Sequence, residues 1–546
     1  MEKPSTTACQ VLKNAKGEYL LWEGYHHPPG SLCVFGPDTK TACQDYITKV
    51  TTVPFNYFYG TEGDPKITEP DIDIQDLKEQ FKQSMIPEIP WTWQDYEEYF
   101  YNKIQPFTIN TGSPKFIGHM TSKLPSFHLE LSEWLTSLNQ NVVKLETSKV
   151  MTFLEREVIA MLHRLFYQFT DDYYGEHIQH AESDLGMVVS GGTQANVLAL
   201  WVARNRALPG IAEKGFTQSL ALSPYLGTKI LVSPLLHYSF KKACSLLGIG
   251  IENIEELSLL SNGQLDIDNL QARIKDLQKN KIKIIALIGI AGATETGSID
   301  PLQAMGEMAR RYNIHFHVDA SFGGPFLFSS TYRHLLNGIE TADSITVCGH
   351  KQLYLPVGIS LCLFRDERAI HAMTVLADYQ AVSKGFDFGK NSPEGTRSAM
   401  ALFLHASLYL FASSGYEKLL DSAMQLAKYF IECLKANDAF EILWQPDLNV
   451  INYRYLPPAL RSACGQGKLT PTENHQINQL NMQLQKLQYQ AGKSFISMTW
   501  LPYLKGQGEV VALRAILFNP LTQRADIDAV LQEQIALAAK IESVTP

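Results

Sequence analysis

Five short segments carry residues able to do chemistry, each at or near the end of an apolar run. In SGGTQAN (190–196), Gly191 and Gly192 permit a tight turn with free amides, and Thr193 adds a hydroxyl where a helix begins, an arrangement that suits a phosphate. His237 closes the run in LVSPLLHYSF, and Thr294 follows another run in AGATETGSIDP. In HVDAS (317–321), Asp319 stands where a carboxylate is costly unless a cation or a donor meets it. In GHKQLY (349–354), Lys351 lies beside His350. A lysine drawn partly out of water has a lowered pKa and attacks carbonyls. Taken singly, each has a plainer reading: a capped glycine turn, a capping Asp, a salt-bridged lysine, a structural histidine. Their order along the chain says more. A phosphate turn, a His, a Thr, an Asp and a Lys at strand ends, in that sequence, describe a pyridoxal-phosphate site. The lysine takes the aldehyde, the Asp faces the ring nitrogen and keeps it protonated, and the His covers one ring face.

The elements that position these residues follow from periodicity. Six short apolar runs read as strands: 186–190, 229–234, 283–291, 315–321, 344–350 and 359–364. Helix-like segments lie between most of them, and 154–169 has helical periodicity with one apolar face. Alternating strands and helices predict an α/β domain with a mainly parallel sheet, whose functional residues lie in loops at the carboxyl ends of strands. Beyond about 400 the pattern shifts to a long apolar helix, then FEILW, NVINYRYL, SFISMTWL and VVALRAILF as strands, then a terminal amphipathic helix. The expected division is an N-terminal segment over 1–110, a cofactor-binding large domain over 111–400 and a small α+β domain over 401–546. Residues 1–110 mix Pro-rich and Gly-rich patches with acidic stretches, which predicts helical segments between loops and an arm that packs on the rest or on a partner chain.

Composition narrows the class. Of 546 residues, 45% are hydrophobic and 19% charged, which excludes a disordered chain or a fibre and supplies ample apolar material for a core. The net charge of −9 argues against a general nucleic-acid binder. The N-terminus lacks a secretory pattern, and IIALIGIAGA (284–293) is too short to span a bilayer. The eight cysteines form no CxxC pair, so neither a zinc site nor a disulfide framework is expected, and reduced thiols in a cytoplasmic protein are.

Over about 115–430 the chain resembles the group II pyridoxal-phosphate-dependent amino-acid decarboxylases, through HVDAS and HKQLY in combination. The resemblance is strongest to the bacterial aspartate 1-decarboxylase subgroup, through FIGHMTSKLP (116–125), LNQNVVKLETSK (138–149), LERE (154–157), DSITVCGHKQLYLPVG (343–358) and PEGTR (393–397). It implies a fold type I large domain with a mainly parallel seven-stranded sheet, pyridoxal 5′-phosphate as cofactor, and a homodimer. It implies decarboxylation of an acidic amino acid, aspartate to β-alanine or glutamate to γ-aminobutyrate. An aromatic or other decarboxylase, an aldehyde-forming relative, and a catalytically silent scaffold stand as alternatives. By the same resemblance Lys351 would carry the Schiff base, Asp319 would hold the ring nitrogen and His237 would stack on the ring. Thr294 and Ser321 would contact the ring, and Gly192, Thr193 and His350 the phosphate. Arg397 would grip a substrate carboxylate, with His119, Thr121 and Ser122 as side-chain carboxylate contacts. Tyr379, matching the tyrosine of a mobile loop, would return the proton to Cα, with His237 as the other candidate. Ser321 and Phe322 depart from the family's usual Ala and Trp or Tyr.

Overall fold

The computed structural model describes residues 9–13, 19–22, 32–38, 40–58, 66–68, 73–260, 263–375, 385–504 and 508–544. Near the N-terminus, β1 (Cys9–Lys13) pairs antiparallel with both β2 (Tyr19–Trp22) and β3 (Leu32–Asp38). The helix Lys40–Asn56 covers this ribbon, with Val11 and Cys43 buried among Tyr19, Leu21, Tyr46 and Ile47. Helices were expected here and do occur, at 40–56, 74–80 and 93–99, but the three strands were not. Runs of four to seven residues hold too few alternating positions to stand out as strands by pattern alone.

All six apolar runs between 186 and 364 become strands of one seven-stranded sheet. They are β4 (Gly186–Val189), β5 (Gly227–Val232), β7 (Ile282–Ile290), β8 (His315–Asp319), β9 (Ser344–Cys348) and β10 (Ser360–Phe364). The seventh, β6 (Ile254–Glu256), is a short, polar edge strand that carries no apolar signal. The order is β4-β10-β9-β8-β7-β5-β6, with β10 antiparallel to both its neighbours and the other pairs parallel. Near-continuous apolar sequence in β7 (IKIIALIGI) is what a parallel strand covered on both faces requires.

One helix organises one face. Along Gly192–Ala207, Ala195, Leu198, Ala199 and Val202 pack on Met187, Val189, Cys362 and Phe364, while Val197, Leu200 and Ala203 pack on Ile230, Val232 and Ile288. Fully burying a side chain of this size contributes about 1.5–3 kcal/mol, so this helix is held over the sheet centre with its N-terminus fixed. The helix Val150–Tyr167 lies against β4 and β10.

The chain forms two compact units, residues 1–58 with 124–422 and residues 59–123 with 423–546. The second contains the antiparallel sheet β11 (Phe440–Ile442), β12 (Val450–Tyr455), β14 (Glu509–Ile516) and β13 (Ser497–Pro502), in that spatial order. Its core gathers Phe430, Tyr453, Leu484, Leu513 and Ile527, and it includes Ile117 from the earlier segment. Among the described residues no helix is long and apolar enough to cross a membrane.

Candidate active site

Parallel strand ends bring the chemistry together. In the sheet register Ile290, Asp319 and Thr346 lie side by side, so the segments following β7, β8 and β9 leave the same edge. Those segments carry Thr294, Ser321 and Lys351. Thr294 is half-buried in the turn after β7. Lys351 sits in a tight loop closed by three backbone bonds: Gly349 N to Ile359 O at 2.9 Å, Leu355 N to Gly349 O at 3.0 Å, and Tyr354 N to Lys351 O at 3.0 Å.

Asp319 is 7% exposed, and each carboxylate oxygen has a donor. The Ser321 amide reaches Oδ1 at 3.1 Å and the Asn196 amide nitrogen reaches Oδ2 at 3.1 Å. Burial pushes this carboxyl up. The Lys351 ammonium is the largest of the influences that outweigh it and hold the group below its ordinary range, as an anion. His237 is half-buried, with Nδ1 at 2.9 Å from Ser239 Oγ. Burial pushes its imidazole down, Asp319 pulls it up, and Lys351 and Lys242 push it further down. Lys351, Asp319 and His237 therefore act on one another electrostatically, a triad the sequence placed 82 and 32 positions apart.

The glycine turn meets the same edge. Helix Gly192–Ala207 starts at Gly191 with no side-chain cap, so the first-turn amides, including those of Gly192 and Thr193, are not taken by a capping side chain. A Cβ built on Gly192 would stand 2.6 Å from Cys348 Sγ and 3.3 Å from Ser321 Oγ. Glycine is thus favoured by close approach, and the Ser321 hydroxyl lies near the helix start. A bound pyridoxal phosphate needs an amine, a buried anion and an anion-binding helix start within one pocket, and these residues fit it. We expect Gly192→Ala to lower the melting temperature and weaken coenzyme binding, by about 1–3 kcal/mol. Adding Cys348→Ala should restore much of both losses, because it removes the sulfur that the new methyl meets. If Gly192→Ala behaves as wild type, the close approach is not real.

Arg397 was expected to grip a substrate carboxylate. In the structure it is buried and doubly bonded to Glu155: Nη1 to Oε2 at 2.7 Å and Nη2 to Oε1 at 2.6 Å. The carboxylate it grips is the protein's own. His119 and Thr121 lie in the second compact unit, where His119 is exposed and its Nδ1 is 3.1 Å from Thr121 Oγ1, and Ser122 is buried. Tyr379 lies outside the described residues. Sequence reasoning missed Asn196, which bonds Asp319, Ser239, which bonds His237, and His317 and Ser344, which continue the line from Asn196.

Comparison with known proteins agrees with this chemistry. A family profile described as "Pyridoxal-dependent decarboxylase conserved domain" matches residues 75–456. The chain is 39% identical to aspartate 1-decarboxylase of Aliivibrio fischeri over 484 residues, covering 87% of this chain and 88% of that protein. It is 27% identical to an acidic amino acid decarboxylase of Bos taurus over 436 residues, covering 78% of each. Among solved structures, mouse CSAD in apo form superposes with a TM-score of 0.77 at 24% identity, covering 91% of this chain and 99% of that one, which shows a shared fold.

Proposed function

This chain belongs to the pyridoxal-dependent decarboxylase family, and on that footing we propose that it decarboxylates an acidic amino acid, aspartate to β-alanine or glutamate to γ-aminobutyrate. The observation that carries the chemistry is Asp319, a buried carboxylate held as an anion at the strand end beside the one that leads into Lys351. The acidic substrate class is supported by the names of the relatives above, all but one of which act on acidic amino acids by name.

When bound, the coenzyme supplies an electron sink for the pair released as the carboxylate leaves. The chain's own residues do the rest. The Lys351 amine would hold the coenzyme through its aldehyde. Asp319, a buried anion, would pair with the ring nitrogen and favour its protonated form. The helix start at Gly192 and Thr193, with His350, would hold the phosphate. Ser321 and Thr294 would lie around the ring, and His237 would cover one face.

Incubating the protein with a panel of amino acids and identifying the released amine tests the reading. β-Alanine or γ-aminobutyrate is expected. One methylene separates the two substrates and is worth only about 1–3 kcal/mol, so both should turn over at measurable rates. Release of aromatic amines alone would overturn the acidic assignment.

We further propose a homodimer that covers the segment 74–104. There Ile86, Ile89, Trp93 and Met85 are 73–90% exposed, and neither helix of this segment, Ile74–Gln80 or Trp93–Tyr99, buries a residue. So much apolar surface in one stretch marks an interaction site. Sedimentation should give a dimer for the wild type and a monomer for Ile86→Asp combined with Trp93→Asp. A monomeric wild type would remove the proposal. Cys33, Cys43, Cys244, Cys348, Cys362, Cys433 and Cys464 are free thiols, which supports a reducing, cytoplasmic setting.

A further inference from the structure

Behind Asp319 runs a continuous line of buried polar side chains: Asn196 (1% exposed), Ser239, His317 and Ser344 (each 0%). Burying such groups is costly unless each is paired, and here the pairing has only one consistent direction. Asp319, as an anion, can only accept, so the Asn196 amide must turn its nitrogen toward Oδ2, at 3.1 Å. The second hydrogen of that nitrogen goes to Ser239 Oγ at 2.9 Å. Asn196 Oδ1 is then an acceptor facing His317 Nε2 at 3.2 Å, so His317 carries its proton on Nε2. His317 Nδ1 is left to accept from the Ser344 hydroxyl at 2.9 Å. Ser344 Oγ in turn accepts from His315 Nε2 at 2.8 Å. On the other branch, Ser239 has accepted from Asn196, so its own proton goes to His237 Nδ1 at 2.9 Å, leaving Nε2 as the protonated nitrogen of His237.

We propose that Asn196, His317 and Ser344 form a positioning chain in which every hydrogen bond points toward Asp319. The chain keeps Asp319 an anion aimed at the coenzyme ring nitrogen and, through Ser239, sets the tautomer of His237. Burial pushes the His315 and His317 rings down to about 3, so both stay neutral across the working range and no proton enters the line from behind. One amide thus governs two groups of the site. Rotating it by half a turn would set an oxygen against the Asp319 carboxylate and a donor against a donor at His317.

This inference rests on the assignment of Asp319 to the ring nitrogen, so the test carries Asp319→Ala as its control. Pyridoxal phosphate is titrated into the stripped full-length protein, and affinity and the visible spectrum are recorded. His317→Phe should raise the dissociation constant on the order of tenfold and shift the pH at which the visible band changes. His317→Gln, which retains an amide donor toward Asn196, should recover most of the affinity. If Asp319→Ala changes neither affinity nor spectrum, the underlying assignment fails. If Asp319→Ala changes them and a folded His317→Phe does not, the positioning chain alone fails. Neutron diffraction from wild-type crystals gives a readout independent of any variant: deuterium on His317 Nε2 with Nδ1 bare supports the chain, and the reverse overturns it.

Discussion

Lys351→Ala is expected to reduce decarboxylation below detection while leaving the fold in place. The loop that presents the lysine is closed by backbone bonds at Gly349, Tyr354 and Leu355, none of which uses the lysine side chain. Truncation at Cβ therefore removes the amine and little else of the structure. Loss of a positioned proton-transfer group alone typically costs about 10²–10⁴ in rate, and here the tether to the coenzyme goes with it. The same ammonium is the largest attraction drawing the Asp319 carboxyl down. A carboxyl depressed in the folded state adds stability above its unfolded value and loses it as pH falls through the folded one. The stability gap between wild type and variant should therefore narrow as the solution is acidified through the carboxylate range. Visible absorption on adding pyridoxal phosphate, far-UV circular dichroism and amine release are the three measurements. A variant that still forms the wild-type band and turns over substrate would end the assignment of Lys351.

Arg397→Ala should destabilise the protein by about 3–5 kcal/mol, the usual consequence of leaving one member of a buried ion pair without its partner. Glu155, 0% exposed, would be left as an unpaired buried carboxylate. The backbone bonds of this residue, from its amide to Asn141 Oδ1 at 3.1 Å and from the Val142 amide to its carbonyl at 2.9 Å, do not use the side chain and should persist in the variant. Glu155→Gln should cost a comparable amount for the mirror-image reason. The paired change Glu155→Leu with Arg397→Met should recover much of the loss, since apolar residues of similar volume often replace a buried pair at little cost. Denaturant melts of the four proteins decide the matter. A carboxylate-binding arginine would behave differently, raising KM for acidic substrates with the melt unmoved, and that outcome would return Arg397 to the substrate.

Much of this site was legible in the chain because its chemistry is written in residue types at the ends of apolar runs. GHKQLY, HVDAS and SGGTQAN each pointed to a strand end, and the parallel sheet expected from the strand–helix rhythm put them on one edge. The positioning chain left a fainter mark. His315, His317 and Asp319 alternate along β8, so three polar groups point to one face of a buried strand. That spacing could have flagged a polar network, but its partners could not be named. The N-terminal ribbon was missed because its strands are short, and β6 because it is a polar edge.

By itself the sequence determined the coenzyme, the reaction class and the strands that carry Asp319 and Lys351, since these depend on local residue type and apolar periodicity. Only the tertiary structure decided which charge meets which. Asn196 reaches Asp319 across 123 positions, and Arg397 closes on Glu155 across 242. Ion pairing and the direction of a hydrogen bond depend on separations of about 3 Å through space, a distance that order along a chain does not carry.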